Sequence, residues 1–301
     1  MKRFKRLSIK ALAVTVFWGL SFVATRIGLQ AFTPAGLVGL RMGMAAIVLL
    51  VIARKMGRIA LPAKDLLPTL ALGLILAGHL WIQSVGLLKT SATHTGWIIG
   101  FAPITIAVGA WWFLRQPIGA SAWGGIALGT AGVALICLSR GLDFSDATMG
   151  DILQVTSCVT WAAYTIVAVG PVQRHGSLRI TLWAIIVAAL AMSPMLFGGV
   201  RADGPVTGSV VLSVVFLGVV CSGLAFWVWS AAVRDIGSAA AGAYLYLEPF
   251  VTWLAAAVVL DESLKPVGFA GGALVLVGVW VVSRSKTAIG STESVARRST
   301  E

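Results

Sequence analysis

The chain has 301 residues, of which 58% are apolar and 11% charged, and its mean hydropathy is +0.93. An average soluble domain holds about 25% charged residues, so a water-soluble globular protein is excluded and an integral membrane protein is expected. The net charge of +12 would suggest nucleic acid in a soluble protein; placed at the ends of apolar segments it reports orientation in a bilayer, and no nucleic-acid partner is expected.

A membrane-spanning helix needs about 20 apolar residues. Segments of that kind run over 8–31, 34–53, 66–88, 91–114, 118–138, 150–170, 178–197, 208–231, 238–260 and 265–284. The expected fold is therefore all-α, with ten transmembrane helices and connections too short to hide a soluble domain. The basic start followed by a long apolar run reads as the first helix, because no Ala-x-Ala site closes it as in a cleaved signal peptide. The last residues, 287–301, are rich in Ser, Thr and charge and read as a disordered cytoplasmic tail. Cys137, Cys158 and Cys221 lie at lipid depth without paired spacing, so neither a disulfide framework nor a zinc site is expected. No cofactor is called for.

With the N-terminus inside, the 23 Lys and Arg residues fall mostly on the cytoplasmic side. Only Lys89, Arg140, Arg201 and Lys265 are placed outside, and Arg26 and Arg41 lie within helices. The positive-inside rule thus selects both termini cytoplasmic.

Sliding the chain by 146 positions superimposes Gly96 on Gly242, Pro103 on Pro249, Gly125 on Gly271 and Gly132 on Gly278. A shift of 145 pairs Gly73 with Gly218 and Gly78 with Gly223, and one of 143 pairs Trp18 with Trp161. The domains expected are two five-helix repeats, 1–145 and 146–286. Five is odd, so the second repeat enters the membrane from the opposite side. Inverted repeats of this kind build carriers with a midplane site between the halves.

Polar and aromatic residues at depth mark that site. The sixth segment carries Gln154, Ser157, Trp161 and Tyr164 on one helical stripe. It reads as a cavity wall, or, for Ser157, equally as an interhelical seam. His79 and Gln83 share a face of the third segment, and His79 is either a packed, hydrogen-bonded residue or a substrate contact. His94, Trp97 and Phe101 share a face of the fourth, with Trp97 toward an outward vestibule. Tyr244, in the ninth segment, completes the candidate substrate-binding set. Pro103 and Pro249 each free the carbonyl four residues back, those of Ile99 and Leu245, and are the expected hinges. Glu248, immediately before Pro249, is the one carboxylate inside an otherwise uninterrupted apolar segment, and an ionisable group there is a functional-site hypothesis by default. It serves either as a proton-coupling acid or as a hydrogen-bond donor to a carbonyl freed near Pro249. Pairs such as Gly39 with Gly43, Gly96 with Gly100, Gly125 with Gly129 and Gly268 with Gly272 are small-xxx-small and report close helix packing.

Trp18-Gly19, Arg41, the run Leu217 to Ala225, Leu247-Glu248-Pro249 and the Asp261-Glu262 turn leading to Gly271 and Gly278 together resemble the EamA family of the drug/metabolite transporter superfamily. The likeness covers about residues 10 to 284. Family members often carry Glu in the turn after the fourth helix, where this chain has Gln116. The resemblance implies export of amino acids and other small metabolites and a structural or gating role for Arg41. Because a Glu-Pro pair recurs in members of varied substrate, and because Ala102 is its counterpart in the first half, it favours the structural role for Glu248.

The expected function is export of a small polar metabolite, an amino acid or a related neutral or zwitterionic solute, across the inner membrane by alternating access. Solute and lipid bilayer are the expected partners, and a monomer is the working expectation. A channel is the alternative. An enzyme is disfavoured, because the few titratable groups at depth sit on different helices without metal-ligand spacing. The topology is directly testable: reporters fused after Asp143 and after Asp203 should read as external and those after Lys55 and after His175 as internal, and two adjacent loops reporting the same side would remove the inverted repeat.

Overall fold

A computed structural model describes residues 8–57, 59–61, 63–113, 115, 119–138, 146–197, 199–200, 204–236, 241–262 and 266–284. The expectations that concern Gln116, the tail 287–301, the reporter sites Asp143 and Asp203, and the loop cations Arg140, Arg201 and Lys265 lie outside the described residues.

The described residues are helical and contain no β-strand. The helices are α1 (Ile9–Gly28), α2 (Pro34–Lys55), α3 (Leu66–Lys89), α4 (Ala92–Ile99), α5 (Ala102–Phe113), α6 (Ala120–Leu138), α7 (Asp146–His175), α8 (Ser177–Phe197), α9 (Gly208–Val215) and α10 (Ala225–Ile236). After a 3-10 turn at Ala243–Leu247 come α11 (Glu248–Val259) and α12 (Pro266–Arg284). Seven helical stretches are long and apolar enough to cross a membrane: Ile9–Gly28, Pro34–Lys55, Ala63–Lys89, Ala92–Phe113, Ala147–His175, Ser177–Leu196 and Gly208–Asp235. The fifth, ninth and tenth expected segments appear as shorter apolar helices, Ala120–Ile136, Tyr244–Val259 and Pro266–Gly278.

Local chemistry sets the helix starts. Ser8, Thr33, Ser91 and Thr207 each precede an apolar run, and each side-chain oxygen accepts from a backbone N–H three residues on, at 3.4, 3.1, 3.1 and 3.4 Å. Such caps satisfy donors that a helix start leaves orphaned, and Pro34 at the start of α2 has no donor to satisfy. The fourth expected segment is divided at Gly100–Phe101, because Pro103 has no N–H for the Ile99 carbonyl. The ninth divides between the 3-10 turn and α11 at Pro249 for the same reason. In contrast, α7 continues through Pro171 to His175, beyond the expected end at 170, and Gly176 then joins it to α8 in one residue. The φ of +83° at Gly176 lies in the left-handed region that favours glycine.

A departure of another kind occurs at Phe216–Leu224, which is π-helical rather than α-helical. Met44 of α2 packs where a Cβ on Gly218 would sit, its Cε 2.5 Å from that point. A π segment leaves backbone carbonyls out of the ordinary ladder, and such segments concentrate at functional sites.

The most extensive helix pair is α6 with α12, followed by α3 with α7, α2 with α8 and α3 with α8. The α6–α12 crossing is antiparallel and glycine-lined. A Cβ on Gly132 would stand 2.6 Å from the Gly271 oxygen, and one on Gly278 would stand 2.5 Å from the Gly125 oxygen and the Gly129 nitrogen. Small residues let backbones meet this closely where lipid supplies no hydrophobic drive. A side chain at Gly278 must push backbone, whereas Gly124 on the same pair has open space. Gly278→Ala should therefore lower the unfolding free energy in detergent by about 1–3 kcal/mol. Gly124→Ala should leave it unchanged or raised, by up to about 1 kcal/mol. Equal midpoints for the two variants would contradict the close seam.

Candidate functional site

A cavity of about 50 Å³ lies where α1, α2, α3, α7, α10 and the two divided helices converge. Its walls include Trp18, Phe22, Leu80, Trp161 and Phe226, and its polar groups come from Ser21, Arg41, His79, Gln83 and Glu248. Both helix breaks reach it: Ile99 and Ala102 from the first, Leu245 and Glu248 from the second. The carbonyls that Pro103 and Pro249 free belong to Ile99 and Leu245; the Glu248 backbone N–H answers the Leu245 carbonyl across the 3-10 turn, and the backbone at the cavity wall is irregular, where the membrane environment tolerates it.

Trp18 organises the aromatic wall. Its ring meets Trp161 edge-on at 5.1 Å, Trp229 at 5.2 Å and Phe226 at 5.4 Å. Its Nε1–H donates to the Cys221 carbonyl in the π-helical segment at 3.2 Å. Tyr164 stacks on Trp161 at 5.4 Å without itself lining the cavity, and His79 faces Trp161 at 5.5 Å. His79 Nδ1 lies 3.1 Å from the Ser157 carbonyl oxygen and 3.0 Å from Thr160 Oγ1. A carbonyl only accepts, so Nδ1 carries the proton and Nε2 remains the acceptor.

Arg41 is 3% exposed and turns inward, where its Nε–H donates to Ser222 Oγ of the π-helical segment at 2.8 Å. Glu248 is 4% exposed, and its carboxylate accepts no hydrogen bond from a described residue, whereas its backbone N–H donates to the Leu245 carbonyl and its backbone oxygen accepts from Thr252 Oγ1 at 2.9 Å. No ion pair joins Arg41 to Glu248.

Of the candidates expected from sequence, the cavity gathers His79, Gln83, Trp161, Arg41 and Glu248, with Pro103 and Pro249 at the breaks. Tyr164 and Ser157 stand directly behind it: the Ser157 hydroxyl donates to the Gln154 carbonyl at 2.7 Å while its own carbonyl holds His79. Trp97 is turned toward α11 and α12, against Phe250 at 5.3 Å and Phe269 at 5.9 Å, over the space left by Gly272. Phe101 is half-buried against the core, and the Tyr244 hydroxyl accepts from the Ser8 backbone N–H at 2.8 Å. None of these three lines the cavity. Ser21, Phe22, Leu80 and Phe226 enter the lining unannounced. Trp18 carried a signal, its repeat with Trp161, whereas an apolar residue such as Phe226 carries none in so apolar a chain.

Polar contacts tie the chain together at both ends of the bundle. At the end bearing the start of α1, buried Asp65 accepts from Arg174 Nη2 at 2.6 Å and meets His175 Nε2, and Lys10 pairs with Asp235 at 2.8 Å. At the opposite end Asp151 meets Thr90 and His94, the latter at 3.2 Å. There Glu262 accepts from the N–H groups of Ala92 and Thr93 at 3.1 and 2.8 Å, capping α4 where the helix dipole favours an anion.

Residues 7–138 and 148–284 each match the EamA-like transporter family. The chain belongs to that family. Its membership brings it into the drug/metabolite transporter superfamily, whose other members here are also transporters. An uncharacterized transporter of Archaeoglobus fulgidus is 28% identical over 94% of this chain and 100% of the relative. A probable terminal-alkyne amino-acid exporter of Streptantibioticus cattleyicolor is 27% identical over 92% of this chain and 93% of the relative. An uncharacterized inner membrane transporter of Escherichia coli is 24% identical over 91% and 89%. A crystal structure superimposes with a TM-score of 0.70 over 91% of this EamA-like chain and 96% of the other, at 18% identity, which speaks for the fold.

Proposed function

We propose that the chain is a ten-helix secondary carrier of two inverted five-helix halves, 1–145 and 146–286. On this reading it exports an amino acid or related neutral or zwitterionic metabolite across the inner membrane by alternating access. Both termini are cytoplasmic, and the protein works as a monomer. The observation that carries this reading is the composition of the cavity wall. Trp18 with Trp161, Ile99 with Leu245 and Ala102 with Glu248 are the counterparts expected from the repeat, and all six residues line it.

Three further features support the inverted halves. Gly132 meets Gly271 and Gly125 meets Gly278, and each contact is the other with the halves exchanged, as a two-fold axis between antiparallel copies requires. Arg115 and Asp261 are the non-glycine residues with positive φ among those described, both at 54°, and they are counterparts 146 positions apart. The packed pairs also correspond: α3 on α7 answers α1 on the α9-to-α10 stretch, α3 on α8 answers α2 on the π-helical segment, and α5 on α7 answers α1 on α11.

Alternating access needs closures at both ends, and the ties from Asp65, Asp235, Asp151 and Glu262 each join one half to the other. The aromatic wall with few charged groups suits a small neutral or zwitterionic solute, and the amino-acid exporter among the relatives supports that class.

A labelled panel of amino acids and metabolites in proteoliposomes of the pure protein tests the carrier. Saturable uptake with counterflow is expected, and flux without counterflow would indicate a channel. Within that assay Trp161→Phe, which changes the cavity wall, should reduce counterflow about tenfold, equivalent to about 1.4 kcal/mol. Trp229→Phe, in the same aromatic cluster but off the lining, should stay within about twofold, or about 0.4 kcal/mol by the same relation. Equal effects would move Trp161 from the site to the packing.

A further inference from the structure

Two buried charged side chains of opposite sign line one cavity and do not meet. Arg41 comes from α2 and Glu248 from the break before α11, one from each half of the chain. Protein interiors keep charges only when paired or hydrogen-bonded, and each of these is incompletely answered. Arg41 has spent Nε–H on Ser222 Oγ, which fixes the plane of the guanidinium and leaves the terminal Nη groups. Glu248 has no described donor on its carboxylate. Trp18, Phe22, Trp161 and Phe226 line the same cavity as apolar surface.

We propose that Arg41 and Glu248 hold the two charged ends of an α-amino acid zwitterion across this cavity, Arg41 taking the carboxylate and Glu248 the ammonium, a proposal that rests on the carrier reading above. The planar guanidinium matches a carboxylate through parallel N–H donors, a geometry lysine lacks. A carboxylate in ionised form only accepts, which suits an ammonium with three donors. The solute side chain then lies against the Trp18, Trp161 and Phe226 rings. In this arrangement Arg41 is a substrate ligand rather than a gate, and Glu248 reads the amino group rather than bracing the backbone at Pro249. The ligand also bridges the halves, because its two ends are held by residues from different repeats. A cavity of about 50 Å³ has room for only a few waters, each needing about 10–15 Å³, so loading a solute requires the halves to part.

The test is competition in the counterflow assay with the intact protein, using four compounds of one side chain: the amino acid, its amide, its deamino acid and the deamino amide. In the wild type, removing either head group should weaken competition at least about 30-fold, about 2 kcal/mol. Arg41→Gln should compete equally with amino acid and amide while still discriminating against the deamino acid. Glu248→Gln should do the reverse. Arg41→Lys and Glu248→Asp, which keep the charges, should retain the respective preference in reduced form and serve where a neutral variant does not fold. Head-group discrimination unchanged in folded Arg41→Gln or Glu248→Gln overturns the clamp. So does a Glu248→Gln protein that loses only its dependence on a pH gradient, which would make Glu248 a proton carrier. Counterflow of other metabolites with no competition by amino acids leaves the carrier and removes the clamp, whereas no counterflow of any solute removes both.

Discussion

A backbone amide at membrane depth has no water to turn to, so each proline inside an apolar helix must leave its freed carbonyl facing protein or a wet cavity. Pro103 and Pro249 impose that requirement twice. The structure brings both breaks to one place, where Ile99 and Leu245 stand on the wall of a single cavity and the 3-10 turn returns the Glu248 N–H to the Leu245 carbonyl. The π-helical segment at Phe216–Leu224 adds a third irregular stretch beside it. Its Cys221 carbonyl fixes the Trp18 indole, and its Ser222 hydroxyl fixes Arg41. Irregular backbone and the polar and aromatic side chains of the candidate site thus occupy the same small volume, while the regular helices around them carry the packing.

The remainder of the fold gives that volume rigid walls. Glycine contacts close the α6–α12 pair, Gly73 lets α3 approach Val187 and Ala184 of α8, and Gly86 takes Gln154 and Leu153 of α7. Away from the core, the charged side chains make their contacts at the two ends of the bundle. Asp65 with Arg174 and His175, and Asp151 with His94, bury the carboxylate in contacts made by short reaches between helix termini, with Arg174 itself half exposed. Breaking such a contact leaves a carboxylate without its partner, and so an end that opens must find new partners or water for these groups. Closing one end as the other opens keeps the number of unanswered charges low, which is a physical reason for a rocking carrier over a continuously open pore.

Much of the helical framework was legible because a membrane reduces the problem to apolar length: the expected segments fall on helical stretches, two of them divided and some ends displaced by up to five residues. Seven of the helical stretches are long and apolar enough to cross a membrane. The lining was partly legible. His79, Gln83, Trp161 and Glu248 stood out because polar or aromatic groups are scarce at depth. Trp97 shared that signal, yet it packs against Phe250 and Phe269, because helical periodicity identifies a face without saying whether that face meets a cavity or another helix. The turn of α7 beyond Pro171 was missed for a related reason: proline marks a lost hydrogen bond, and the contacts of Arg174 and His175 with Asp65 hold the helix in place beyond it. The π-helical stretch had no clear sequence signal. It is fixed by pairings between residues far apart in the chain, of which Arg41 with Ser222 is the clearest.

Opposite motion of the two ends is the most direct consequence of the proposed inverted halves around one site. Pulsed electron-spin distances between labels at exposed positions 55 and 234, at one end, and 30 and 209, at the other, would report it; native Cys158 and Cys221 are buried. Adding a saturating transported solute should lengthen one distance distribution while shortening the other. Distances that both lengthen, both shorten or both stay fixed while flux proceeds would contradict a carrier that rocks about the cavity.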